Sequence, residues 1–261
     1  MINTEYPPGM PCWIDLGSPD LDAATAFYGG VFGWETHPDS SDDYRMMTKA
    51  GKVVAALGRL TEEGARSAWM VYFHTDDAEA TTSRVSELGG EVRTPPVDGG
   101  EAGRLAQFTD PQGGRFAVWQ GTRMPGLELV NAPGSINWTE LMTTDTAAAS
   151  AFYTALLGLD TVDTAMPGDS SMVYRMMGPK GAVEDDMFGG MVQLSADDLP
   201  EGRPYWHPVF STEDCDATLA RVREQGGRVT MGPEDAEGVG RLAVCTDRAG
   251  AEFVVLRPSE M

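Results

Sequence analysis

Residues 44–47 read Tyr44-Arg45-Met46-Met47, and the same four residues return as Tyr174-Arg175-Met176-Met177. A four-residue identity with two methionines is improbable by chance and marks an internal repeat. Upstream, Trp13, Ala26-Phe27-Tyr28 and Gly33 recur 125 positions later as Trp138, Ala151-Phe152-Tyr153 and Gly158. Downstream, Trp69, Gly89-Gly90, Gly103-Arg104-Leu105-Ala106, Thr109-Asp110 and Phe116 recur at an offset of 137 as Trp206, Gly226-Gly227, Gly240-Arg241-Leu242-Ala243, Thr246-Asp247 and Phe253. The order of all matches is preserved, so the chain is a tandem duplication. The offset grows near 164–172 and again near 182–204, both rich in Gly, Pro and Asp, and both are expected to be loops. The copies are placed at 1–127 and 128–261.

Within each copy the pattern halves again. A short strand (12–17 or 137–142) leads to Ser18-Pro19-Asp20 or Thr143-Thr144-Asp145, side chains that can accept hydrogen bonds from the free N–H groups of a helical first turn. The helix is expected over 21–31 or 146–157, ending at Gly33 or Gly158. Alternating strands follow, around 43–48 and 53–59 in the first copy. Strands at 69–75 and 205–212, acidic caps at Asp76-Asp77 and Glu213-Asp214, and helices at 78–88 and 215–225 ending in Gly-Gly repeat the series. The expectation is an α+β protein of four βαβββ modules (10–60, 66–121, 135–195 and 203–258), forming two curved sheets with helices outside.

Composition narrows the function. Forty Asp and Glu against 19 Lys and Arg give a formal charge of −21 in 261 residues. Such a chain repels phosphate backbones and anionic lipid, which argues against nucleic acid and membrane partners. No apolar run is long enough for a membrane span and no signal-peptide pattern opens the chain, so the default location is cytoplasmic. Cys12, Cys215 and Cys245 are widely spaced and odd in number, which fits small buried hydrophobes better than disulfides or a zinc site. No phosphate loop, nucleophile elbow or CxxC is present.

The run W-x-D/E-L-x-x-x-D, AFY and GW/GL, followed by GG, GR-L-A, T-D and G-x-x-F, resembles the glyoxalase/bleomycin-resistance/extradiol-dioxygenase superfamily, the vicinal oxygen chelate fold, over about 10–120 and 135–258. It is most similar to the two-unit actinobacterial branch labelled as hydroxylases. The resemblance implies tandem glyoxalase-like units. It also implies where relatives bind a divalent metal: a His or Gln on the first strand, a His or Glu on the first strand of the second module, and a Glu on the last strand. Carried onto this chain by register, those positions are Trp13, Met70 and Ala117 in the first copy, and Trp138, His207 and Val254 in the second. Hard or borderline metals need imidazole or carboxylate donors. Only His207 qualifies, so no metal and no cofactor are expected.

Side chains alternate along a strand, so neighbours two residues apart share a face. The candidate ligand-binding set is therefore Trp13, Asp15, Met46, Met70, Tyr72, His74 and Trp119 in the first copy, with Trp138, Glu140, Met142, Tyr174 and His207 in the second. Aromatic rings and adaptable thioethers suit a flat, partly apolar molecule. The expected function is metal-independent binding of a small aromatic, polyketide-like or drug-like ligand, cationic in the version that uses the acidic charge. Its role would be sequestration and self-resistance, or service to a biosynthetic oxygenase as partner. The alternative is a glyoxalase-fold hydroxylase, lyase or isomerase with Asp15 or Glu140 as base and His74 or His207 as partner, the carboxylate being activated by desolvation beside tryptophan. A regulatory protein with collapsed cavities is a third reading. Monomer and homodimer are both open.

Overall fold

The computed structural model describes residues 1–60, 65–166, 169–183 and 186–259, without the side chains of 169–171. Its elements follow the βαβββ series four times. The first module is β1 (Pro11–Ser18), α1 (Leu21–Phe32), β2 (Glu35–Thr36), β3 (Tyr44–Lys49) and β4 (Lys52–Arg59). The second is β5 (Ala68–His74), α2 (Ala78–Glu87), β6 (Glu91–Asp98), β7 (Gly103–Thr109) and β8 (Arg115–Gly121). The third is β9 (Ile136–Thr143), α3 (Thr146–Leu157), β10 (Leu159–Met166), β11 (Asp169–Pro179) and β12 (Gly189–Gln193). The fourth is β13 (Tyr205–Ser211), α4 (Cys215–Glu224), β14 (Arg228–Ala236), β15 (Gly240–Thr246) and β16 (Glu252–Pro258).

The described strands form two open, mixed, eight-stranded sheets in the orders β2-β3-β4-β1-β5-β8-β7-β6 and β10-β11-β12-β9-β13-β16-β15-β14. In every module the last strand returns beside the first and parallel to it, as in Asp15 opposite Ala56 and Gly190 opposite Glu140. The α+β class and the four modules are therefore as the sequence predicts.

All four helices start alike. Asp20, Asp77, Asp145 and Asp214 stand in extended conformation, and each accepts a hydrogen bond from the backbone N–H three residues on. A cap of this kind contributes about 1 kcal/mol by satisfying a donor that has no partner in the helix. The first and third helices end at Gly33 and Gly158 in the left-handed region, φ 72° and 68°. A side chain there would be strained, which is why the repeat keeps glycine at both places.

The two expected loops are corrected. The inserted stretch at 164–172 lies largely in the β10–β11 hairpin, whose strands run to Met166 and from Asp169; only 167–168 fall outside the described residues. The stretch 182–204 contains β12, followed by two short 3-10 turns at Ala196–Asp198 and Pro200–Gly202; residues 184–185 are again outside the description. Gly and Asp density predicted irregular backbone, but ladder pairing overrides it, between β10 and β11 in the first stretch and from β12 to β9 in the second.

Contacts gather the chain into two compact units that do not follow the repeat boundary at 127/128. One comprises Met1–Trp13, Met70–Gly126 and Trp138–Trp206; the other comprises Ile14–Trp69, Leu127–Asn137 and His207–Met261. The recurring motif residues explain this grouping. In the first unit, Trp206 Nε1 donates to the Tyr153 hydroxyl at 3.1 Å, which donates to Asp110 Oδ2 at 2.9 Å. Asp110 Oδ1 meanwhile accepts from the backbone of Gln112 and Gly114, closing the β7–β8 turn. The helix of the third module is thus tied to the turn of the second.

The other unit repeats the device. The Tyr28 hydroxyl donates to Asp247 Oδ2 at 3.3 Å, Asp247 Oδ1 holds the Ala249 and Ala251 N–H groups, and Trp69 packs edge-on against Tyr28. The AFY, Trp and T-D motifs are one network. Phe27, Tyr28, Phe152 and Tyr153 are all buried, as expected for helix residues facing a sheet.

Candidate functional site

The first unit holds a cluster in which candidate residues of the third module meet. Met142 on β9, Tyr174 on β11 and Val192 on β12 are buried with Leu199, and Trp138, Met166, Met172, Met176, Leu194 and Tyr205 pack around them partly exposed. Leu199 stands between the two 3-10 turns, so the stretch after β12 that lengthened the offset supplies one wall. The face is rich in thioethers and aromatic rings, surfaces that adapt to flat ligands.

A polar chain crosses this apolar face. Trp138 Nε1 donates to the Tyr174 hydroxyl at 2.7 Å, and that hydroxyl donates to Glu140 Oε1 at 2.7 Å. Direction is fixed by chemistry: an indole only donates and an ionised carboxylate only accepts. Each bond polarises the next, so the chain strengthens both. Burial, and then the neighbouring Glu140, hold the Tyr174 phenol well above its ordinary range, and the group stays neutral. The arrangement presents an oriented carboxylate beside a packed apolar surface. It can hold a donor or a cation on an aromatic molecule.

The other unit contains a looser counterpart. The Tyr44 hydroxyl donates to Asp15 Oδ2 at 3.2 Å, and Tyr44 is 39% exposed against 8% for Tyr174. Met46 is half-buried on the same strand and Met47 is fully buried.

The remaining candidates are placed separately. Trp13 and Tyr72 are buried, and Met70, His74 and Trp119 are half-buried. Trp119 Nε1 donates to the Met124 carbonyl at 2.7 Å, tying β8 to the connection between copies. Nδ1 of His74 is buried and meets no hydrogen-bond partner among the described residues. His207 is buried, with Nδ1 2.8 Å from Glu252 Oε1 on β16. Asp15 and His74 belong to different units, as do Glu140 and His207. Glu140 is partnered by a phenol, which the sequence reading did not foresee, and Glu252 was not singled out at all. The available signal is that Glu252 lies two residues before Val254, so strand alternation puts it on the same face as that carried-over position.

A divalent metal of the kind bound by relatives does not fit the residues present. The carried-over positions offer indole (Trp13, Trp138), thioether (Met70), buried apolar side chains (Ala117, Val254) and a single imidazole, His207, whose Nδ1 faces Glu252. Among the described residues no three His, Cys, Asp or Glu side chains converge to hold an ion. The three cysteines are buried and free, and burial pushes the Cys215 thiol up to about 11 and Cys245 to about 12, so they are not nucleophiles at neutral pH. No helix among the described residues is long and apolar enough to cross a membrane.

The family model described as the Glyoxalase/Bleomycin resistance protein/Dioxygenase superfamily matches residues 12–118 and 135–255. The chain belongs to this superfamily. Within it, the chain is 39% identical over 274 residues to the anthracycline biosynthesis protein DnrV of Streptomyces peucetius, covering 98% of this chain and 96% of that one. It is 36% identical over 263 residues to CFP32 of Mycobacterium bovis, which is provisionally named a glyoxylase, covering 98% and 97%. The Mn(II)-bound glyoxalase of Novosphingobium aromaticivorans superposes with a TM-score of 0.66 over 97% of this chain and 84% of that chain, at 18% identity. Identity that low speaks for the shared superfamily fold alone.

Proposed function

We propose that this glyoxalase-superfamily protein binds a small aromatic, polyketide-like molecule without metal chemistry, at the Trp138–Tyr174–Glu140 face of the third module. The observation that carries the reading is the hydrogen-bonded chain set in a thioether-lined apolar surface: stacking and adaptable packing supply affinity, and one oriented carboxylate supplies orientation. The likeness to DnrV, an anthracycline biosynthesis protein, over nearly the whole chain supports a polycyclic aromatic ligand; the role we assign is to hold substrate or product for a biosynthetic oxygenase, or to sequester it. A formal charge of −21 favours a ligand bearing an amine by long-range attraction.

The test is tryptophan-fluorescence titration with 1,4-dihydroxyanthraquinone and with the same ring carrying a protonated aminoalkyl chain. Saturable quenching is expected with both, tighter for the amine at low salt, and unchanged by a chelator. No saturable quenching, or binding abolished by the chelator, contradicts the reading. The enzymatic alternative keeps one specific support, the pair of buried His207 and half-buried Glu252, which has the composition of an acid–base couple. Conversion of either probe to a product with a changed absorption spectrum would favour that alternative.

A further inference from the structure

The two tyrosines at the head of the YRMM repeat occupy the same register but lie differently, and the middle strand of each module shows why. Asp15 stands opposite Ala56, and Glu140 stands opposite Gly190. Tyr44 stands opposite Gly58, and Tyr174 stands opposite Val192. Residues 56 and 190 are therefore equivalent, as are 58 and 192, and the glycine has changed places between them. In the first module the open spot is Gly58, directly opposite the tyrosine. A Cβ there would touch the Tyr44 ring at 3.3 Å. In the third module the open spot is two residues along, at Gly190. The Tyr174 ring lies across it so closely that a Cβ on residue 190 would overlap the phenol oxygen and the ring carbon bearing it.

We infer that Gly190 is the positioning residue of the binding face. By carrying no side chain it lets Tyr174 fold diagonally over β12, accept from Trp138 and reach Glu140, while Val192 fills the place the ring would otherwise take. Gly190 has no φ in the left-handed region, so its backbone would accept alanine and the requirement is one of space. In the first module Ala56 blocks that diagonal, and Tyr44 stays over Gly58, more exposed than Tyr174 and with a longer bond to its carboxylate. The position of one glycine assigns ligand recognition to the second copy and gives one site per chain. This inference rests on the ligand-binding reading above, but it has a readout that needs no ligand.

The experiment compares G190A, Y174F and the double variant with the native chain. Without ligand, the Trp138 indole N–H resonance, assigned by its loss in W138F, is expected to move upfield in Y174F, which removes the acceptor hydroxyl, and by a similar amount in G190A, which displaces it. With the aminoalkyl dihydroxyanthraquinone as probe, each single variant is expected to bind about tenfold more weakly, and the double variant no more weakly than the worse single one, since coupled residues are non-additive. An indole resonance unmoved in G190A, with circular dichroism confirming a native fold, would overturn the inference. So would losses that add in the double variant. If the resonance moves as stated but the native chain never binds the probe, the positioning role stands and the ligand-binding reading fails.

Discussion

Asp110→Ala is expected to destabilise the chain by about 3–5 kcal/mol, because two buried donors and one part-buried donor lose their acceptor together and each buried loss costs about 1–3 kcal/mol. Those donors are the backbone N–H groups of Gln112 and Gly114 and the Tyr153 hydroxyl. The last would remain buried with only Trp206 pointing at it. For a protein of this length that corresponds to a fall in Tm on the order of 10 °C, measurable by scanning calorimetry. Asp247→Ala removes the same kind of group in the other unit but a longer tyrosine bond, 3.3 Å, and should cost less.

The effect also depends on pH, with a definite sign. Burial raises the Asp110 carboxyl above its ordinary value of 3.8, despite bonds from Gly114, Tyr153 and Gln112 that favour the anion. The folded chain therefore binds this proton more readily than the unfolded chain. The associated stability is fully present below about pH 4 and is lost as pH rises through the folded value, so the gap between native chain and variant should narrow from acidic to neutral pH. A gap below about 1 kcal/mol, or one that widens toward neutral pH, would show that the network does not bear on stability as described.

Trp138→Ala is expected to weaken binding of the dihydroxyanthraquinone probes by about 10- to 100-fold, the range for removing a large aromatic contact from a recognition surface. Two losses combine. The ring's contact area disappears, and the Tyr174 hydroxyl loses the donor that fixes it toward Glu140. Trp13→Phe, the conservative change at the equivalent position of the first copy, should leave the affinity within about twofold, the size of an ordinary neutral contact. Calorimetric titration of both variants separates the sites. Equal losses would place recognition in both copies, and an unchanged W138A would remove it from the proposed face.

The sequence disclosed the fold because the motifs it repeats are the ones that hold the fold together. AFY, the strand-opening tryptophans and T-D recur because Tyr153, Trp206 and Asp110 form one buried network and Tyr28, Trp69 and Asp247 form another. The acid before each helix was legible as a cap, and the glycine after α1 and α3 as a left-handed terminus, since both meet local requirements. Grouping across the repeat boundary was not legible, because nothing local says that Tyr153 reaches Asp110 rather than its counterpart at 247. The strands at 159–166 and 189–193 were hidden for a similar reason: Gly, Pro and Asp weaken local strand propensity, and pairing partners restore it.

The candidate site was half legible. Trp138, Glu140, Met142 and Tyr174 follow from strand alternation and recurrence. Their linkage does not, because it depends on a ring crossing a strand diagonally, which a period of two cannot express. The decisive residue carries no side chain, and Gly190 reads in sequence as a strand breaker. Leu199 was missed because an insertion has no counterpart in the first copy to compare it with. Met70, Tyr72, His74 and Trp119 follow from the same alternation, and Trp119 Nε1 also donates to a backbone carbonyl.

The most direct test of a metal-free aromatic site on the third module is a crystal structure of the protein with the aminoalkyl dihydroxyanthraquinone, grown with manganese(II) present as competitor. The expected result is the ring against Trp138, Met142 and Met176, its amine or hydroxyl on Glu140, with Tyr174 still lying over Gly190. A manganese ion held by protein side chains in that place, or the ring seated elsewhere with this face untouched, would contradict the account.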